Sequence, residues 1–124
     1  MHRSILSIML VAPFMSACGG SFPPPTQRLA DAQSAERSAR ELGANDEPSA
    51  KLSLKLADEQ ITQAQKVMAD GDNERADSLL IRAKADAELA VAQAREKGAK
   101  VEGMNAVQDS AAQKELNAGQ GAVK

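Results

Sequence analysis

The residues that could do chemistry in this 124-residue chain are few: a lone Cys18, two Ser-x-Lys pairs at Ser49-Lys51 and Ser53-Lys55, and the acidic run Asp70-Gly71-Asp72-Asn73-Glu74. A cysteine offers a thiolate for acylation, nucleophilic attack or metal binding. The acidic run places oxygen ligands at alternate positions, as a calcium loop does at its start. The sixth place of such a loop needs glycine and here holds Arg75, and the twelfth needs a bidentate Glu and holds Ile81. The run is therefore expected to be an interhelical turn and no metal site. The Ser-x-Lys pairs fail as nucleophile and base because residues two apart on a helix do not face each other, and no oxyanion-hole motif accompanies them. They are expected on solvated helix faces.

What precedes Cys18 decides its use. Arg3 is followed by an apolar stretch from Ile5 to Phe14, broken only by Ser7 and Pro13, which is the layout of a secretory signal. Roughly ten residues cannot span a bilayer, which takes about 20. Met15-Ser16-Ala17-Cys18 resembles the lipobox of bacterial lipoproteins, in which two small residues precede the Cys, with Met15 standing where Leu is usual. The resemblance implies that residues 1–17 are removed, that the Cys18 thiol carries a diacylglycerol and that its amine is acylated. Several chains anchor firmly because each buried CH₂ contributes about 0.8 kcal/mol. Gly19, rather than Asp, is similar to the pattern of lipoproteins sent onward in cells with two membranes. The expected location is the cell envelope, lipid-anchored at the outer membrane and facing the periplasm.

Removing residues 1–17 takes away His2, the single His, and leaves Cys18 as the anchor. No imidazole remains for proton transfer near neutral pH, no thiolate for nucleophilic attack, and neither to hold zinc, copper or iron. One Cys forms no intramolecular disulfide. A non-enzymatic, lipid-anchored structural or adaptor module acting through helix packing, without cofactors, is expected, with a cell-wall associated or small-ligand binding lipoprotein as the alternative. Fifteen Lys plus Arg against seventeen Asp plus Glu give a net charge of -2, so no nucleic acid is expected as partner. The chain is 43% apolar with two Phe and no Trp or Tyr, so much of its apolar surface is Ala. Such a chain has no aromatic platform and little means of enclosing a small molecule.

The remaining residues read as an all-α fold: an antiparallel helical hairpin of two long Ala-rich helices, a shorter N-terminal helix, a flexible stalk and a C-terminal tail. Residues 18–25 contain Gly19-Gly20 and Pro23-Pro24-Pro25 and form the stalk. A helical domain over 26–104 follows, with helices at about 26–42, 48–70 and 72–102. Thr26 is the expected N-cap of the first, whose seam is Leu29, Ala32, Ala35, Ala39 and Leu42, with Gly43 at its end. Pro48 opens the second, with a seam of Ala50, Leu54, Ala57, Ile61, Ala64 and Met68. Asp72 caps the third, with a seam of Ala76, Leu80, Ala83, Ala87, Ala90 and Ala94. Both long seams step four, three, four, three, four, and Gly71 lies in the short turn between them, so the two stripes face each other antiparallel. Arg82 with Asp86 and Lys84 with Glu88 sit at i,i+4 as exposed ion pairs. Leu79, Leu89 and Val91, with Ile81, widen the apolar face toward the first helix or a partner. Leu79, Leu89 and Val91 form the candidate interaction face, for an envelope protein or a second copy. Past Ala94, Gly98 and Gly103 interrupt the register, and 105–124 is expected to be a frayed or flexible tail.

Pro48, then Leu52, Leu56, Ala57 and Ala64, then Gly71-Asp72 and Ala76, then Ala83, Asp86, Ala87, Leu89 and Ala90 resemble the family known as domain of unknown function 4398. A Pro-rich stalk after the lipid Cys is similar too. The likeness runs from Thr26 to about Arg95 and departs at Asp46-Glu47, where that family tends to have a small residue before Pro48. It implies a helical envelope lipoprotein, sometimes joined to peptidoglycan-binding domains, and implies no activity. The terminal Lys124 is similar to the C-terminal Lys that joins the murein lipoprotein to peptidoglycan. The preceding Gly121-Ala122-Val123 lacks that protein's Tyr-Arg, so a free tail is expected and cell-wall association is the alternative.

Overall fold

A computed structural model of the chain describes residues 21–121. Three helices lie in order along it: α1 (Thr26–Glu41), α2 (Pro48–Ala69) and α3 (Asn73–Gly121), with a 3₁₀ turn at Ala44–Asp46 between α1 and α2. There is no strand among the described residues. The α2–α3 pairing is the most extensive, and α1 lies mainly against α3. Ser53 meets Gln93 and Gln60 meets Asp86, so seven residues forward on α2 are seven back on α3, the mark of an antiparallel pair. Helix α1 runs parallel to α3, since Arg28 pairs with Asp77 near the turn and Ala39 packs with Ala90 and Ala94 far from it.

The two long seams are the core. All six expected positions on α3 are buried, as are Ala50, Leu54, Ala57, Ile61 and Ala64 on α2, with Met68 half-buried. Eleven of the fifteen buried apolar residues are Ala, so the helices approach closely. Large side chains are then scarce, and Leu54, Ile61, Leu79 and Leu80 supply most of the apolar volume removed from water. On α1, Ala32 and Ala39 are buried, whereas Leu42 is the C-cap and remains exposed.

The helix ends follow local chemistry. Gly71 adopts φ +83° and closes α2: its N–H donates to the Met68 carbonyl and the Asp72 N–H to the Val67 carbonyl, the paired bonds of a Schellman motif. Gly43 does the same work after α1 at φ +80°, its N–H donating to the Arg40 carbonyl. Asp72 caps α3 as expected, its carboxylate accepting from the Arg75 N–H at 3.3 Å. Thr26 is not the cap of α1. Pro25 holds that position, is buried, and leaves the first turn without a side-chain cap, because the proline ring presets the chain for helix entry.

Two expected boundaries are corrected. The stalk is docked at its inner end, since the Asn73 side-chain amide donates to the Phe22 carbonyl at 2.9 Å and Pro25 packs into the bundle. The tail expected from about Asn105 is helical through Gly121, extending α3 to 49 residues, about 73 Å at 1.5 Å per residue. Growth of an existing helix needs no new nucleus, so the entropy of the tail is offset one residue at a time. Gly98 and Gly103 weaken the extension by about 1 kcal/mol each without stopping it.

The two kinds of glycine predict opposite responses to one substitution. Gly71→Ala places a Cβ in the left-handed region and is expected to lower stability by roughly 1 kcal/mol, although no atom lies within 4 Å of it. Gly98→Ala, equally unobstructed but in helical conformation, is expected to raise helicity and add up to about 1 kcal/mol. Urea midpoints and helical circular dichroism of the two variants check the signs.

Candidate functional site

Cys18 and the motif Met15, Ser16 and Ala17 lie outside the described residues, as does Lys124. No helix among the described residues is long and apolar enough to cross a membrane.

The candidate interaction face divides. Leu79 is only 5% exposed and belongs to the core with Ala32, Ile61, Ala64 and Leu80. Helix α1 covers that flank, so Leu79 is removed from the face. Val91 is half-buried against the cluster of Ala39, Leu54 and Ala90. Leu89, at 48% exposed, is the one member that stays open to solvent, together with Ile81. An apolar stripe marks which residues avoid water; it does not say whether a neighbouring helix or a partner covers them.

Larger apolar exposure lies elsewhere. Leu52 and Leu56 stand out from α2. Beyond Lys97, which donates to the Asp46 carbonyl at the end of the bundle, α3 continues with every side chain from 98 to 119 exposed. That extension carries Val101, Met104 and Val107 at helical spacing and Leu116 further on, with Met104 60% and Leu116 66% exposed. The signal was present in the sequence as a continuation of the α3 register, masked by the two glycines.

The polar candidates are committed to the fold. The Ser53 hydroxyl is buried and donates to Gln93 Oε1 at 3.0 Å, which corrects its expected solvated position. The Ser49 hydroxyl donates to Glu47 at 2.6 Å. Neither hydroxyl is held by a Lys. Glu47, the departure noted before Pro48, is the N-cap of α2 and also accepts from the Ala50 N–H. The Ser49 hydroxyl first, and then that N–H, hold its carboxyl below the usual carboxylate range. In the α2–α3 turn the Asp72 carboxylate caps α3, while Asn73 donates through its amide nitrogen to the Phe22 carbonyl and leaves its buried Oδ1 without a partner among the described residues. Among the described residues no group of three or more His, Cys, Asp or Glu could hold a metal ion.

Ion pairs lie at the surface. Lys84 and Glu88 meet at 3.8 Å as expected, whereas Asp86 accepts from Gln60 across the hairpin and Arg82 turns back to the Ser78 carbonyl. Arg40 joins Glu36 on its own helix to Asp58 on α2. A cleft of about 320 Å³ lies between the start of α2 and α3, lined by Glu47, Ser49, Gln93, Glu96, Lys97 and Lys100 among others. Its polar groups are engaged within the chain: Lys100 pairs with Glu96 at 2.6 Å, Lys97 donates to the Asp46 backbone carbonyl and Glu47 caps α2.

Compared with known proteins, the chain matches one family model, described as "Domain of unknown function (DUF4398)", over residues 27–106. No curated protein and no solved structure matches it. The matched span takes in the three-helix bundle and the first part of the α3 extension.

Proposed function

The chain belongs to the DUF4398 family, and from that premise we propose that it is a non-enzymatic, lipid-anchored protein of the cell envelope, acting as a structural or adaptor module through helix packing. Anchorage rests on the signal layout and the lipobox-like Met15-Ser16-Ala17-Cys18. The outer membrane, facing the periplasm, is the location this reading assigns. The observation that carries the adaptor role is the α3 extension: the bundle has already buried its own seams, and Val101, Met104 and Val107 project past it exposed, with no other described part of the chain covering them. Single exposed apolar side chains are ordinary, but several along one solitary helix are a surface for another helix or protein. An envelope protein or a second copy of the chain is the partner this implies.

An enzymatic reading has little support, because the two Ser-x-Lys hydroxyls are occupied by Gln93 and Glu47. Small-ligand binding is weakened by the internal hydrogen bonds and the Lys100–Glu96 pair that already occupy the polar groups of the cleft near Lys97. Peptidoglycan association through the end of α3 is the alternative. Retention on detergent-boiled sacculi, lost on deletion of Lys124, would favour it.

A photo-crosslinking residue at Met104 in the full chain tests the adaptor reading in intact cells. Discrete crosslinked species are expected at Met104 and Val107, and none from the same residue at Glu59, which sits on the solvated side of α2 paired with Lys55. Absence of crosslinks from the extension would contradict the reading.

A further inference from the structure

We infer that the α2–α3 turn is the end of the bundle held against the lipid surface, and that α3 stands away from the membrane as a post carrying residues 98–121 outward. This rests on the lipid-anchor reading of Cys18. Phe22 is fixed to Asn73 at the first residue of α3, and Pro25 is buried at the start of α1. Cys18 precedes Phe22 by four residues, and four trans peptide steps reach at most about 15 Å whatever their conformation. The acyl chains are therefore confined to the turn end.

Contacts of α1 and of the 3₁₀ turn after it repeat that polarity. Arg28 pairs with Asp77 near the turn, Ala39 packs with Ala90 and Ala94, and the Asp46 carbonyl takes Lys97 at the far end. From Asn73 to Lys97 the bundle rises about 36 Å, and residues 98–121 add about 36 Å more. Charge does not draw the turn to an anionic surface, because Asp70, Asp72 and Glu74 outnumber Lys66 and Arg75 there. The short tether alone sets which end of the bundle faces the lipid. The exposed apolar residues of the extension are thus offered to a partner up to about 65 Å from the bilayer, a reach that neither the bundle nor the stalk supplies by itself.

Energy transfer to a headgroup dye in vesicles holding the purified full-length, cell-processed protein tests this. Cys18 is the one cysteine, so the parent chain should react with no maleimide dye once its thiol is alkylated by lipid. A labelled parent would overturn the anchor and the orientation together. With the parent silent, Asp70→Cys and Gln113→Cys each take one dye, both at exposed positions. Transfer from position 70 is expected to exceed that from position 113 at least about threefold, given some 60 Å of helix between the turn and residue 113. Equal transfer, or a reversed order, would overturn the orientation while leaving the anchor intact. Asn73→Ala, which removes the donor to the Phe22 carbonyl, should keep its helicity and narrow the ratio. An unchanged ratio would overturn the role given to that contact.

Discussion

Ile61→Asp is expected to abolish the cooperative melting of the bundle. Ile61 is buried among Ala32, Ala64, Ala76, Leu79, Leu80 and Ala83, where every cationic side chain is absent from the cluster. An unpaired carboxylate placed there costs several kcal/mol. A small domain has only about 5 to 15 kcal/mol to lose, and the low end applies to a core made largely of Ala. Helical circular dichroism should fall on mild heating or be reduced from the start. Glu59→Ala is the control: Glu59 is exposed and pairs with Lys55 at 3.6 Å, an interaction of no more than about 1 kcal/mol. Its melting should match that of the parent. Equal melting of the two variants would show that α2 does not pack in the register described.

That register was readable before any coordinates, because a heptad stripe of small and branched apolar residues has one sensible face. Ala50 through Ala64 on α2 and Ala76 through Ala94 on α3 are buried as their spacing requires. Gly43 and Gly71 were readable for the same local reason, since a left-handed residue after a helix is most easily glycine. Contacts between distant residues were not. Asn73 with Phe22 and Lys97 with Asp46 are each separated by 51 residues, and Ser53 with Gln93 by 40. Nothing in the composition around those residues marks them as partners.

Leu79 and the tail failed for different reasons. Leu79 lies beside the seam, and its burial depends on where α1 comes to rest, which periodicity on α3 does not encode. For residues 105–121, weighing composition against chain entropy treats the segment as if it had to order itself alone. Continuing α3 imposes no such requirement, and a segment rich in Ala, Gln, Lys and Glu then remains helical. Of the candidate interaction face, Leu89 stays exposed, and the part of the extension past residue 104, with Val107 and Leu116, lies outside the domain that the pattern of apolar residues marks out.

Cys18→Ser is expected to have the largest effect on where the protein resides, with no effect on the bundle, whose first docked residue, Phe22, lies four residues further on. A thiol can take diacylglycerol as a thioether, whereas a serine hydroxyl is far less nucleophilic at neutral pH. Loss of the acyl chains removes about 0.8 kcal/mol for each CH₂ formerly buried in the bilayer, and no helix of the described residues is apolar enough to replace them. The variant should be released from membranes in full while keeping the helical content and melting of the parent. Metabolic labelling with a palmitate analogue, followed by membrane fractionation, tests the central claim most directly. The parent chain is expected to label and to sediment with membranes, and Cys18→Ser to do neither; a serine variant that still labels and still sediments would contradict the account.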